Sequence, residues 1–235
     1  MTKASPGYDF SSGTRPRALL FDWDNTLVDT WDVITDALNA VYDAFGMPLW
    51  TIADAKARIR ESMREAFPKT FGDRAKDAGR IFSDYFALHH LERLRAMPGA
   101  GELLQALAGS GLHLGVVSNK RGRFLRLEAE HLGWTGHFAR LVGAADTSLD
   151  KPAVEPVELA LSGSGILCGA EVWFIGDTDI DMRCALNAGC LPVLLRPEPP
   201  AAGEFDPHPP AIHLPDCAGL TARLRALGVL PPPNM

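Results

Sequence analysis

Phe21-Asp22-Trp23-Asp24-Asn25-Thr26-Leu27-Val28-Asp29 decides how the rest of the chain is read. An apolar run of strand length, Ala18 to Phe21, stops abruptly at two aspartates spaced i, i+2. From Trp31 the pattern changes to a helical period, with Ile34, Leu38, Val41 and Phe45 on one face. Side chains alternate along a strand, so Asp22 and Asp24 leave its end toward the same side. Two like charges about 4 Å apart repel by roughly 4 kcal/mol at an effective dielectric near 20. Holding them together calls for a cation or a shared proton.

Outward from that stretch, residues 1–16 read as a flexible lead-in. After the helix from Trp31, Gly46-Met47-Pro48 is a stop. A second helix is expected from Thr51, basic on its exposed side (Lys56, Arg58, Arg60, Arg64) and broken at Pro68. A third runs from about Asp73 to Leu94, so residues 30–95 read as an all-helical insert without a strand signal. Alternation of strand and helix resumes after Met97-Pro98-Gly99. Strands are expected at Leu112–Val117, Leu141–Gly143, Val172–Ile175, Leu191–Leu195 and Ile212–Leu214. Helices are expected at Gly101–Ala108, Arg123–Leu132, Pro152–Leu161 and Met182–Ala188, with a last one marked by Leu220, Leu224 and Leu227. Residues 196–210 are Pro-rich and read as an irregular surface crossing.

Short apolar strands alternating with helices imply an α/β fold with a doubly wound parallel sheet. The core would be 1–29 and 96–235, with the helical cap 30–95 inserted. Ligands in such sheets bind beyond the carboxyl ends of the strands. Asp22 and Asp24 follow one strand, Ser118 and Asn119 a second, Asp177 and Asp181 a third, and Lys151 a further polar junction. Taken singly, each has an ordinary explanation: a turn pair, a solvated lysine, an acid welcomed by a helix dipole. Together on one sheet edge they make a candidate site.

Composition narrows the class. The chain has 235 residues, is 46% hydrophobic and carries a net charge of −6. That balance argues against nucleic acid as partner, since phosphate backbones want basic patches. No apolar run is long enough to span a membrane, and Met1 to Gly13 lacks the apolar core of a signal peptide. Cys168, Cys184, Cys190 and Cys217 have no C-x-x-C spacing and read as free thiols, which points to a cytoplasmic location.

The four polar junctions, in order, resemble the motifs of the haloacid dehalogenase-like hydrolase superfamily: Asp22-Trp23-Asp24-Asn25-Thr26, Val117-Ser118-Asn119, Lys151-Pro152, and Gly176-Asp177 through Asp181. The resemblance covers nearly the whole chain. The helical insert after the first motif is similar to that of the phosphoglycolate phosphatase and β-phosphoglucomutase subgroup. Two departures stand out: Asn25, where many members carry Gly, and Trp23, where small apolar residues are common. Asn tolerates left-handed backbone angles, so the turn should survive, and Trp23 carries no evident functional meaning.

The resemblance implies a Rossmann-like core and a phosphatase acting on a small phosphorylated metabolite. Asp22 would be the nucleophile and Asp24 the general acid and base. Ser118, Asn119 and Lys151 would hold the phosphoryl group. Mg²⁺ would sit on Asp22, Asp177 and the main-chain carbonyl of Asp24, with Asp181 acting through water or by orienting the shell. Thr26 would tie the loop together. A phosphosugar mutase would use the same residues and return the phosphoryl group to a sugar. The superfamily's dehalogenases lack an acid at the position of Asp24, which disfavours that chemistry. Arg58, Arg60, Arg64 and Lys69 are cap candidates to meet a second anionic group of the substrate, against the alternative of a solvated basic face. His89-His90 reads as packing or surface. Nothing in the sequence fixes the oligomeric state.

Overall fold

In the computed structural model, which describes residues 13–59 and 61–232, the first strand forms where the apolar run ends in acid. Residues 1–12 of the expected lead-in, and Arg60, lie outside the described residues. The strands are β1 (Ala18–Phe21), β2 (Val28–Asp29), β3 (Arg95–Ala96), β4 (His113–Arg121), β5 (Arg140–Ala144), β6 (Val172–Gly176), β7 (Leu191–Leu195) and β8 (Ile212–Leu214). The α-helices are α1 (Trp31–Ala44), α2 (Ile52–Arg58), α3 (Met63–Phe71), α4 (Ala75–Arg93), α5 (Ala100–Leu107), α6 (Gly122–His131), α7 (Glu155–Leu161), α8 (Asp179–Asn187) and α9 (Cys217–Ala226).

Six strands pair in parallel in the order β5-β4-β1-β6-β7-β8. Period-two alternation splits their side chains between two layers. Leu19, Phe21, Trp173 and Ile175 pack with Leu103 and Leu104 of α5, Leu125 of α6, and Leu220 and Leu224 of α9. Ala18, Leu20, Val172 and Phe174 face the other way, onto Val157 and Ala160 of α7 and Cys184 and Ala185 of α8. Each fully buried Leu, Ile or Phe contributes about 1.5–3 kcal/mol. Both faces are therefore covered, as a doubly wound sheet requires. Because β1 is flanked by β4 on one side and β6 on the other, a crevice opens at its carboxyl end.

The helices α1–α4 form the cap around their own aromatic cluster, which includes Tyr42, Phe67 and Phe71. The chain enters and leaves the cap through an antiparallel ribbon, Val28 opposite Ala96 and Asp29 opposite Arg95. The ribbon was not anticipated, since two-residue strands leave no periodic signal.

Three helix boundaries differ from expectation. The helix expected from Thr51 to Pro68 is two: α2 ends at Arg58, and Ser62, in extended backbone, stands at the N-cap position of α3 without a side-chain cap bond. Pro68 does not break α3 but sits inside it. It forgoes one helical hydrogen bond, while Phe67 and Phe71 pack edge to face across the same turn, 5.1 Å between ring centroids. The helix expected from Pro152 begins instead at Glu155. Pro156 has no N–H to give the Pro152 carbonyl, which accepts from Asn187 Nδ2 at 2.9 Å.

Beyond Val117, β4 continues irregularly to Arg121, so Ser118 and Asn119 lie within its distorted end. In the Pro-rich crossing, Phe205 anchors the chain by packing on Met182 and Leu194. All four cysteines are free, three of them buried. Among the described residues no helix is long and apolar enough to cross a membrane.

Candidate active site

Asp22 continues the ladder of β1 by one residue, its N–H donating to the Ile175 carbonyl at 2.8 Å. Its carboxylate thereby stands at the sheet edge beside the residues that follow β6. Asn25 turns the chain with φ of 62°, the left-handed angle expected of it. On the β6 side, Gly176 is required by close approach: a Cβ there would lie 2.3 Å from Asp181 Cγ. Asp181 is the third residue of α8 and completes a capping box, its Oδ2 accepting from Thr178 Oγ1 at 2.6 Å and Thr178 N at 3.1 Å.

These local structures bring Asp22, Asp177 and Asp181 together, all buried, with one oxygen of each within 4.8 Å of the others. Lys151 Nζ lies 2.7 Å from Oδ1 of both Asp22 and Asp181. Thr26 Oγ1 donates to Asp177 Oδ1 at 3.3 Å, tying the loop after β1 to the β6 junction.

Electrostatics here are those of crowded, desolvated acids. Burial lifts the Asp22 carboxyl to about 6 against the pull of Lys151, with Asp181 and Asp24 adding to the rise. Burial, then Asp181 and Asp22, hold Asp177 well above the usual carboxylate range. Burial works against the Lys151 ammonium, but Asp181 and Asp22 outweigh it and keep it above its ordinary value. Three clustered, buried carboxylates with one ammonium paired to two of them leave a formal excess of two negative charges. An all-oxygen donor set with that excess fits a small divalent cation.

Ser118 is buried at the end of β4. Asn119 spends its side chain on the Lys151 main chain, Oδ1 accepting from N at 2.9 Å and Nδ2 donating to O at 3.2 Å. It therefore fixes where the lysine stands. Asp24 Oδ1 accepts from Thr30 Oγ1 at 2.7 Å and is paired with Lys120 Nζ at 2.7 Å.

Lys120 was missed by the sequence reading, as was its second partner Glu128, fully buried on α6. Two further residues change meaning. Trp23 donates Nε1 to Glu128 Oε2 at 2.7 Å, and His90, buried in the cap, places Nδ1 2.8 Å from Glu128 Oε1. A signal existed: Glu128 falls on the apolar stripe of α6 with Leu125 and Ala129, an expensive place for a carboxylate without partners.

Cap and core enclose a cavity of about 1280 Å³. Asp22, Asp24, Ser118 and Lys151 line its core side, and Trp31, Ile34, Tyr42, Phe67, Phe82 and Phe86 are among its cap-side lining. The cap cations have partners of their own. Arg58 pairs with Asp54 and stacks over Trp50, and Lys69 pairs with Glu61 at 2.6 Å. Arg64 lines the cavity while its guanidinium bonds to the Ser148 carbonyl and lies 3.4 Å from Asp150 Oδ1, a bridge from cap to core.

Comparison with known proteins gives one consistent family. A family model described as haloacid dehalogenase-like hydrolase matches residues 19–194. A phosphoglycolate phosphatase from Yersinia pestis is 26% identical over 182 residues, covering 74% of this chain and 78% of its own. A HAD-superfamily hydrolase structure from Ehrlichia chaffeensis superposes with a TM-score of 0.63 at 28% identity, covering 91% of this chain and 98% of the other. A haloacid dehalogenase-like family structure from Streptococcus pneumoniae gives 0.76 at 19% identity over 88% and 97% of the two chains, a likeness of fold.

Proposed function

Since the chain belongs to the haloacid dehalogenase-like hydrolases and is a phosphatase of the phosphoglycolate phosphatase-like group, we propose that it hydrolyses a small phosphate monoester through an aspartyl-phosphate at Asp22, with Mg²⁺ as cofactor. The observation that carries this reading is the buried triad of Asp22, Asp177 and Asp181, two of which are paired with Lys151.

In the first step an Asp22 carboxylate oxygen bonds to phosphorus as the ester P–O bond breaks, and the leaving alkoxide takes a proton from Asp24. In the second, water bonds to phosphorus, gives its proton to Asp24, and releases Asp22 as a carboxylate. Lys151 offsets charge on the phosphoryl oxygens and on Asp22, and Ser118 and the Asn119 N–H donate to those oxygens. Asp22 and Asp177, with the main-chain carbonyl of Asp24, would hold Mg²⁺. Asp181, whose oxygens already serve Lys151 and Thr178, orients that set. When bound, the cation supplies charge neutralisation that lets nucleophile and phosphate approach.

The β2–β3 ribbon adjoins the nucleophile loop, so in this reading the segment around Asp29 and Thr30 is both the boundary of cap and core and the hinge on which the cap closes to exclude water. Phosphoglycolate, the substrate named for the Yersinia pestis relative, is the first compound to test. Purified protein with Mg²⁺ is expected to release inorganic phosphate from at least one member of a panel of phosphorylated metabolites, and Asp22→Asn to reduce that release to background. Undiminished turnover by Asp22→Asn would overturn the reading.

A further inference from the structure

A second buried polar cluster stands beside the metal triad and reaches from the cap to the proton-handling acid. Its hub is Glu128, 0% exposed, which takes four close contacts: Trp23 Nε1, His90 Nδ1, and Lys120 Nζ at 2.8 Å from Oε1 and 2.6 Å from Oε2. Lys120 Nζ is in turn 2.7 Å from Asp24 Oδ1. One ammonium thus sits between two carboxylates, buried, with no freedom to leave either without stranding a charge. Burial works against that ammonium, yet Asp24 and Glu128 hold it above its usual value, so it stays charged.

Two of the residues around Lys120 come from the cap. Phe86 of α4 places its ring 4.9 Å beneath Lys120 Nζ, and His90, one turn later, stacks on Phe86 and meets Phe124 of α6 edge on. With Glu128 ionised, the His90 Nδ1 position carries the hydrogen. Both contacts to Asp24 fall on Oδ1, leaving Oδ2 to exchange a proton with substrate in the cavity that Asp24 lines.

We propose that Lys120 is a positioning residue for Asp24, and that Glu128 and His90 tie its placement to the seating of cap helix α4 against α6. The inference rests on the reading of Asp24 as the acid that protonates the leaving alcohol. Its consequence is specific. In the first displacement, which kcat/KM reports, loss of Lys120 must hurt esters whose leaving group needs a proton and largely spare those whose leaving group does not. The attack of water, which also uses Asp24, is common to both esters and enters kcat alone. A merely structural lysine would depress both alike.

The test compares kcat/KM for an alkyl phosphate and for nitrophenyl phosphate, using Lys120→Met, Glu128→Gln, His90→Phe and, as reference, Asp24→Asn. Lys120→Met is expected to lower kcat/KM on the alkyl ester on the order of 100-fold and on the nitrophenyl ester by less than about 10-fold. His90→Phe, which keeps the aromatic packing, and Glu128→Gln should shift the ratio the same way by less, and His90→Asn, which returns an N–H near the Nδ1 position, should restore it. Should Lys120→Met fail to fold, Lys120→Met with Glu128→Leu removes both charges and must show the same leaving-group dependence.

Equal losses of kcat/KM on both esters, or none, would overturn the proposal. If Asp24→Asn shows the dependence and the Lys120 variants do not, only the role of Lys120 falls. If Asp24→Asn itself lacks the dependence, the reading of Asp24 fails and the proposal with it.

Discussion

The core edge and the cap face the same cavity with opposite designs. On the core side the charged groups are buried and interlocked: Lys151 between Asp22 and Asp181, Lys120 between Asp24 and Glu128. On the cap side the lining is rich in aromatic and aliphatic side chains, while Arg58 and Lys69 pair with carboxylates of the cap itself, at exposed positions. Buried charges at fixed spacing are costly to assemble and are what phosphoryl transfer needs, because that reaction is governed by positioning and charge. An aromatic cap wall makes no such demand, and can differ between relatives without disturbing the chemistry. His90, with Arg64, is where the two designs meet, a polar group of the cap committed to the core.

The contrast can be broken by substitution. Glu128→Leu leaves Lys120 with Asp24 alone, strands His90 and Trp23, and is expected to cost about 3–5 kcal/mol of unfolding free energy, read by denaturant titration. Lys69→Ala removes an exposed pair and should cost no more than about 1 kcal/mol. Comparable losses would erase the distinction between the two faces.

A smaller, pH-dependent effect sharpens it. Without metal, Asp22 has its folded pKa raised to about 6 by burial, so its contribution to stability is full below the unfolded value and is lost as pH rises through 6; Asp177 carries the same sign. For Asp22 the loss is on the order of 3 kcal/mol. Added Mg²⁺ should therefore raise the thermal midpoint more at pH 7.5 than at pH 5, measured against a chelator control. An equal or smaller rise at pH 7.5 would remove the cation from these carboxylates.

The same contrast explains what the sequence revealed. Asp22, Asp24, Ser118, Lys151 and Asp177 were legible because parallel strands place their carboxyl ends on one edge, so local pattern implies spatial company. Glu128 was not, because its meaning depends on Trp23, far away in sequence, and on His90 in another layer. Trp23 was dismissed for the same reason: nothing local shows where an indole N–H will point. In the cap, Pro68 was overrated as a breaker, since aromatic packing across the turn outweighs one missing hydrogen bond. Arg58 and Lys69 read from sequence as candidates for a second anionic group, but each has an acidic partner in the cap, Asp54 and Glu61, that the run of basic residues alone does not reveal.

The proposed division of labour at the core edge rests on two successive displacements at phosphorus, the first by Asp22. The stereochemical course of hydrolysis, followed with a phosphate ester made chiral at phosphorus by oxygen isotopes, tests it most directly. Two in-line displacements give retention of configuration. Inversion would mean that water attacks the ester directly, and Asp22 would then be a ligand and not a nucleophile.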